Sequence, residues 1–140
     1  MNIGKFVLNV IVAFVAFGVL YQGGNMFFAD SFVSANAFLN PEDQIMVSVL
    51  GYHFVQTVVF VWLFDKAVGS GDLKLGAIFG FMVGLYLLAT DANWFLMLKD
   101  FPDEARMPLG IMHLVNGVLV GVLLAFMQGK GWGSSAVAAE

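Results

Sequence analysis

The sequence predicts an all-α integral membrane protein, a four-helix bundle, and two observations lead there. Apolar residues make up 60 % of the 140-residue chain and charged residues 11 %, with a mean hydropathy of +0.87. A soluble domain is about half apolar and a quarter charged. Six basic and ten acidic side chains cannot cover a globule in water, but they suffice to cap helices where these leave hydrocarbon. The second observation is the grouping of the apolar residues into four windows, 6–21, 44–64, 75–98 and 108–127. Each is near the ~20 residues that cross a ~30 Å hydrocarbon core at 1.5 Å per residue. The rest is loop and a Gly/Ser/Ala tail, so the whole of 1–140 reads as one transmembrane domain whose first partner is the lipid bilayer.

The first span follows Lys5 and carries a single polar residue, Asn9. Its basic start resembles a signal peptide, and Ala35-Asn36-Ala37 resembles a cleavage site. The apolar run ends at Tyr21, well before that site, so the helix is expected to be retained. The Phe-rich segment from Asn25 to Asn40 is expected to hug the interface or to extend the first helix past Gly23-Gly24. Asn40-Pro41-Glu42-Asp43 then reads as a helix start, with a capping residue, a proline and first-turn acids. Asp65 and Lys66 close the second span, Ser70-Gly71-Asp72 turns the chain, and Pro108 marks the entry to the fourth span.

Basic residues orient the bundle. With a cytoplasmic N-terminus, Lys5, Lys66, Lys74 and Lys130 fall inside, and only Lys99 and Arg106 fall outside. Both termini are therefore expected in the cytoplasm. Trp62, Trp94 and Tyr21 are expected near helix ends, in the headgroup layer.

The halves 1–66 and 67–130 echo each other. Asp30, Pro41, Glu42-Asp43 and Met46 recur 61 residues later as Asp91, Pro102, Asp103-Glu104 and Met107. After one deletion, His53-Phe54-Val55-Gln56 matches His113-Leu114-Val115-Asn116. The expectation is a parallel duplication of a two-helix unit about an axis along the membrane normal.

Net charge of −4 argues against nucleic acid, which needs a clustered basic surface. The absence of cysteine excludes disulfides, thiolate metal sites and thiol catalysis. No nucleophile elbow, phosphate-binding glycine loop or metalloprotease helix is present, and nothing marks an enzyme. What remains are small residues and a few polar ones inside the spans. Gly76, Gly80 and Gly84 form a doubled G-x-x-x-G, and Gly117 and Gly121 repeat the spacing in the fourth span. Such stripes let helix backbones approach closely, within one bundle or between subunits of a homo-oligomer or larger complex.

Asp91 lies seven residues after Gly84, on nearly the same helix face. An ionised Asp in a span costs about 2.5–3.5 kcal/mol even on the lenient insertion scale, and so needs a partner, water or a function. His53 lies ~15 Å into its span and His113 ~8 Å. Gln56 follows His53 by three residues, Asn116 follows His113 by the same step, and Tyr52 extends the polar side. Three readings of this cluster stand open. It is an interhelical hydrogen-bond network; a haem or divalent-metal site using His53, His113 and Asp91; or a proton or ion relay.

The run Gly76 to Leu88, with Asp91 and Leu98-Lys99-Asp100-Phe101-Pro102, resembles small bacterial inner-membrane proteins classed as domains of unknown function. Phe101 stands where those proteins carry tryptophan. The resemblance spans roughly the last third of the chain and implies a four-span architecture in the bacterial inner membrane, with no activity attached. The functional expectation is a small polytopic protein whose buried His/Asp site binds or conducts a small ligand, ion or proton. A haem- or metal-binding redox protein and an accessory subunit of a larger membrane complex are the alternatives.

Overall fold

The computed structural model describes residues 1–39 and 41–135. The chain is all-α, and its four longest helical runs are each long and apolar enough to cross a membrane. Helix α1 covers Ile3–Phe27, followed by a short α2, Ala29–Phe32, and a 3-10 turn, Ala35–Phe38. The second run is composite: α3, Glu42–Val47, a π-helical turn, Ser48–Tyr52, and α4, His53–Ala67. Helices α5, Leu73–Met97, and α6, Asp103–Gly129, complete the bundle.

The ends follow from local chemistry. Asn2 caps α1 by accepting from the Lys5 amide at 3.0 Å. Asp72 caps α5 by accepting from the amides of Lys74 and Leu75 at 2.9 and 3.2 Å. The turn before it relies on Gly69, whose φ of +52° suits a residue without a Cβ. One boundary differs from the sequence-based expectation, and another takes one of the two courses expected. Helix α6 begins at Asp103 after the capping position Pro102, so Pro108 lies inside the helix rather than at its start. Helix α1 runs past Gly23-Gly24 to Phe27, which moves Tyr21 about 9 Å inward from the helix end. Tyr21 is therefore a half-buried bundle residue and not a headgroup anchor. Asn40, expected to cap the second span, lies outside the described residues.

Helix α6 is the centre of the bundle: 44 % of its apolar window is buried, against 22 % or less for the others. Its closest neighbour is α5, and glycine sets that distance. A Cβ on Gly80 would fall on the Gly117 carbonyl, and one on Gly76 would approach the Gly121 carbonyl and the Ala125 side chain. The relation is mutual, since Cβ atoms on Gly117 and Gly121 would meet the carbonyls of Gly80 and Gly76. Both glycine stripes are thus consumed within the chain. Helix α1 packs on α4 and α6 through larger side chains, with Val10, Ala13 and Phe17 joining Phe60, Val61, Phe64, Val120 and Leu124 in the core. Phe17 and Phe60 meet edge to face at 5.2 Å, and Phe79 of α5 meets Phe60 at 5.1 Å.

The end that carries Asn2 and Lys5 is closed by residues 131–135. The Asn2 amide donates to Ser134 O at 2.8 Å, and Lys5 Nζ donates to Gly131 O at 2.8 Å. Ser134 Oγ donates to Asp65, and Ser135 Oγ reaches Asp65 Oδ1 at 3.1 Å. The buried Asn9 carboxamide, oriented to donate to Trp132 O and accept from the Ser134 amide, completes the set at 3.2 Å each.

Candidate functional site

Helices α1, α4, α5 and α6 each contribute one polar side chain to a cluster in the half of the bundle away from Asn2 and Ser134. Its spine is a chain of two short hydrogen bonds through His113. Tyr21 Oη lies 2.7 Å from His113 Nδ1, and His113 Nε2 lies 2.6 Å from Asp91 Oδ2. With a neutral imidazole, Tyr21 O–H donates to Nδ1 while Nε2–H donates to the Asp91 carboxylate, which satisfies both ring nitrogens. The His113 side chain is 12 % exposed and that of Asp91 36 %. The chain therefore runs from the bundle interior toward its surface.

The glycine contact makes this geometry possible. A Cβ on Gly84 would approach the His113 carbonyl at 2.5 Å and Leu114 Cα at 2.9 Å. Without one, α5 lies against the α6 backbone at His113. Two turns further along α5, about 10.5 Å, Asp91 then comes level with the imidazole edge. The seven-residue step from Gly84 to Asp91 read in the sequence is the step that the structure uses.

His53 joins the cluster through its contact with Tyr21. Its ring centre is 5.3 Å from that of Tyr21, 5.8 Å from Phe17 and 5.9 Å from Phe14. The π-turn before it sets its direction: the His53 amide donates to Ser48 O, five residues back, which re-phases α4 relative to α3. Single π-turns of this kind occur often at functional sites. Among the described residues His53 Nε2 has no hydrogen-bond partner, although the atom is buried.

Tyr52 and Gln56 line the same groove as His53, a cavity of about 520 Å³ bordered by Tyr21 and Asn25 of α1 and by Met112 of α6. Tyr52 is 71 % exposed and Gln56 is exposed. Asn116 does not join them. It is 3 % exposed, its Nδ2 lacks a partner among the described residues, and it borders a different groove with Gly23, Gly24 and Phe27. The remaining predicted residues, Gly76, Gly80, Gly84, Gly117 and Gly121, act as packing elements.

Tyr21 is the residue that the sequence reading placed elsewhere. Its signal was the aromatic stripe Phe14, Phe17, Tyr21, at helical steps of three and four, which marks an inward face once α1 is known to extend beyond Tyr21. The cluster of Asn9, Asp65 and Ser134 at the other end also went unread, because the tail that supplies Ser134 has no periodicity.

For metal or haem ligation the donors are arranged unfavourably. Both nitrogens of His113 are engaged, and the Tyr21 ring packs edge to face on both imidazoles, 5.3 and 5.9 Å from their centres. Among the described residues no three His, Asp or Glu side chains are placed to share a metal ion. No family model matches this chain, and no curated protein and no solved structure is significantly similar to it, so the arrangement of these side chains carries the functional reading.

Proposed function

We propose that this small polytopic membrane protein binds a small ligand in the groove beside His53 and exchanges protons with it through Tyr21, His113 and Asp91. The observation that supports this most directly is the unbroken pair of hydrogen bonds, at 2.7 and 2.6 Å, from the groove-lining Tyr21 to the part-exposed Asp91. When a ligand proton passes to Tyr21 Oη, the tyrosine's own proton passes to His113 Nδ1 and the Nε2 proton passes to Asp91. The carboxyl then releases its proton to water at the membrane surface. The reverse sequence protonates the ligand. The two transfers inside the bundle run along existing hydrogen bonds, so no charged side chain has to move through hydrocarbon.

Binding is favoured over conduction across the bundle. Between the cluster and the polar residues at the other end lies an apolar layer that includes Val10, Ala13, Phe60, Val61, Val120 and Leu124, and it offers a proton no partner. The basic-residue bias favours both termini in the cytoplasm, and a bacterial inner membrane fits that orientation. An accessory role in a larger complex, or a homo-oligomer, would use faces other than the glycine stripes.

The test is pH-difference infrared spectroscopy of the protein in bilayers. Carboxyl, imidazole and phenol bands are expected to change in one transition. Asp91→Asn removes the carboxyl band, and Tyr21→Phe displaces the transition of the other two groups. Imidazole and carboxyl titrations that are independent of each other and indifferent to Tyr21→Phe would overturn the reading.

A further inference from the structure

The groove beside His53 is polar and carries no charge of its own. Among the described residues that line it none is Lys, Arg, Asp or Glu. Hydrogen-bonding side chains border it from both sides: Tyr21, Gln22 and Asn25 from α1, and Ser48, Tyr52 and Gln56 from the second span. Its volume of about 520 Å³ is in the range that holds a small organic molecule.

This lining restricts what a proton-exchanging ligand can be. Once it has given a proton to Tyr21, the ligand stays in a groove that offers no counter-charge, where an uncompensated ion is costly. A carboxylic acid or a phosphate ester would be left as an anion. A metal cation or a quaternary ammonium has no proton to give. A protonated amine gives one and is left neutral. Its lone pair then accepts from a hydroxyl or carboxamide N–H, and its own N–H groups donate to carboxamide oxygens.

The charge at the nearer end of the bundle agrees. Tyr21, Gln22 and Asn25 follow the midpoint of α1, and Ser48 and Tyr52 precede that of the second span, so the groove lies toward the connection between them. The loops and helix starts at that end carry Asp30, Asp43, Asp100, Asp103 and Glu104 against Lys99 and Arg106. Arg106 is already paired with Asp103 at 3.0 Å. Such a surface concentrates cations and repels anions, and aromatic rings such as those of Tyr21 and Tyr52 attract an ammonium group.

We propose that the groove takes a small primary amine, which arrives as its ammonium cation and is held as the neutral base. One N–H bond of the ammonium breaks and its electron pair stays on nitrogen, so nothing is oxidised or reduced. The proton goes to Tyr21 Oη, the tyrosine's own proton to His113 Nδ1, and the Nε2 proton to Asp91 and then to water. The proposal rests on the groove being a proton-exchanging ligand site, and it adds the ligand's chemistry.

The experiment titrates benzylamine into the full chain in phosphatidylcholine nanodiscs, by calorimetry in buffers of different ionisation enthalpy, against protein-free nanodiscs. Saturable one-to-one binding is expected, with one proton released per amine at neutral pH. Affinity should rise about tenfold per pH unit from roughly 6 to 8, where the free amine is still protonated. Benzyltrimethylammonium and phenylacetate should not compete. Tyr52→Phe and Asn25→Leu should each weaken binding about fivefold, the loss of one hydrogen bond, with helicity by circular dichroism unchanged. The titratable groups at the groove are Tyr21, Tyr52 and His53, with His113 and Asp91 behind Tyr21. His53→Phe and Asp91→Asn should both leave the proton count at one, because the proton lost is the ligand's. Absence of saturable binding, displacement by the quaternary cation or by phenylacetate, indifference to both Tyr52→Phe and Asn25→Leu, or a proton count that is near zero or is abolished by His53→Phe overturns the proposal. A coupled infrared transition without amine binding removes only the ligand class. Amine binding with proton release but without that transition removes only the relay.

Discussion

The bundle holds two helix pairs built on opposite principles. In α5–α6 the backbones touch, because glycine on each helix faces a carbonyl on the other. In the pair formed by α1 and the second span, rings meet rings: Phe14 with Phe54 at 5.6 Å and Phe17 with Phe60 at 5.2 Å. Lipid tails are as apolar as the side chains, so neither pair is held by a hydrophobic drive; close packing and interhelical hydrogen bonds do the work. The glycine pair gains the closer contact and fixes Asp91 against His113. The aromatic pair keeps its helices further apart and leaves grooves at its edges, with His53, whose Nε2 has no partner among the described residues, beside one of them. Whatever the origin of the sequence echo between the halves, one half now supplies rigidity and the other supplies space.

The substitution that breaks this contrast most severely is Gly80→Leu. Its Cβ would overlap the backbone of α6 at Gly117 and Val118, which has no flexible end to yield. Overpacking of a well-packed contact costs about 1–3 kcal/mol where neighbours can shift; here the loss should reach or exceed about 3 kcal/mol. Denaturant titration of the protein in micelles should show an unfolded or aggregated variant. A Gly80→Leu protein that melts like the parent would mean that the two backbones are not in contact.

Next in size come changes to the spine of the site. His113→Phe keeps the ring volume but leaves the Tyr21 hydroxyl and the Asp91 carboxylate without their shared partner, at a cost of about 2 kcal/mol. Tyr21→Phe removes one hydrogen bond and should cost about 1 kcal/mol, within the range found for polar contacts between membrane helices. The same titration measures both, and the order between them is the informative result. If Tyr21→Phe proves the more harmful, Tyr21 acts chiefly through its packing on His53.

These comparisons also show which parts of the architecture were written in the sequence. The spans were legible because the hydrocarbon thickness imposes a length, and the glycine contact because a four-residue repeat of small side chains has few other uses in lipid. The pairing of Asp91 with His113 was half legible: the helical step placed Asp91 on the glycine face, but no spacing rule links residues on different helices. Tyr21 was misplaced because its depth depends on where α1 ends, and an apolar run interrupted by Gln22, Gly23 and Gly24 left both an end and a continuation of the helix open. The tail is the limiting case. Its bonds from Ser134 and Ser135 to Asp65 join residues about 70 positions apart, with no periodic pattern to announce them.

A milder change tests the open side of the contrast. A Cβ on Gly18, which borders the groove, would meet nothing within 4 Å. Gly18→Ala should therefore be tolerated and should stabilise α1 by about 0.5–1 kcal/mol, because glycine loses more conformational freedom than alanine in a helix. Destabilisation of that size instead would show that α1 lies closer to the second span than the groove allows.

The smallest effect expected is the one that separates the two histidines. His53→Phe replaces a ring already surrounded by Phe14, Phe17 and Tyr21 with another ring of similar size, and its Nε2 has no hydrogen bond to lose among the described residues. Removing a buried polar atom that is unsatisfied is neutral or favourable, whereas removing one that is paired exposes its partner. Stability should therefore stay within about 0.5 kcal/mol of the parent, or rise slightly, against the loss of about 2 kcal/mol expected for His113→Phe. A helix that keeps an imidazole where a phenyl ring would fold as well keeps it for something other than folding. Equal destabilisation by the two substitutions would erase that distinction and make both histidines structural.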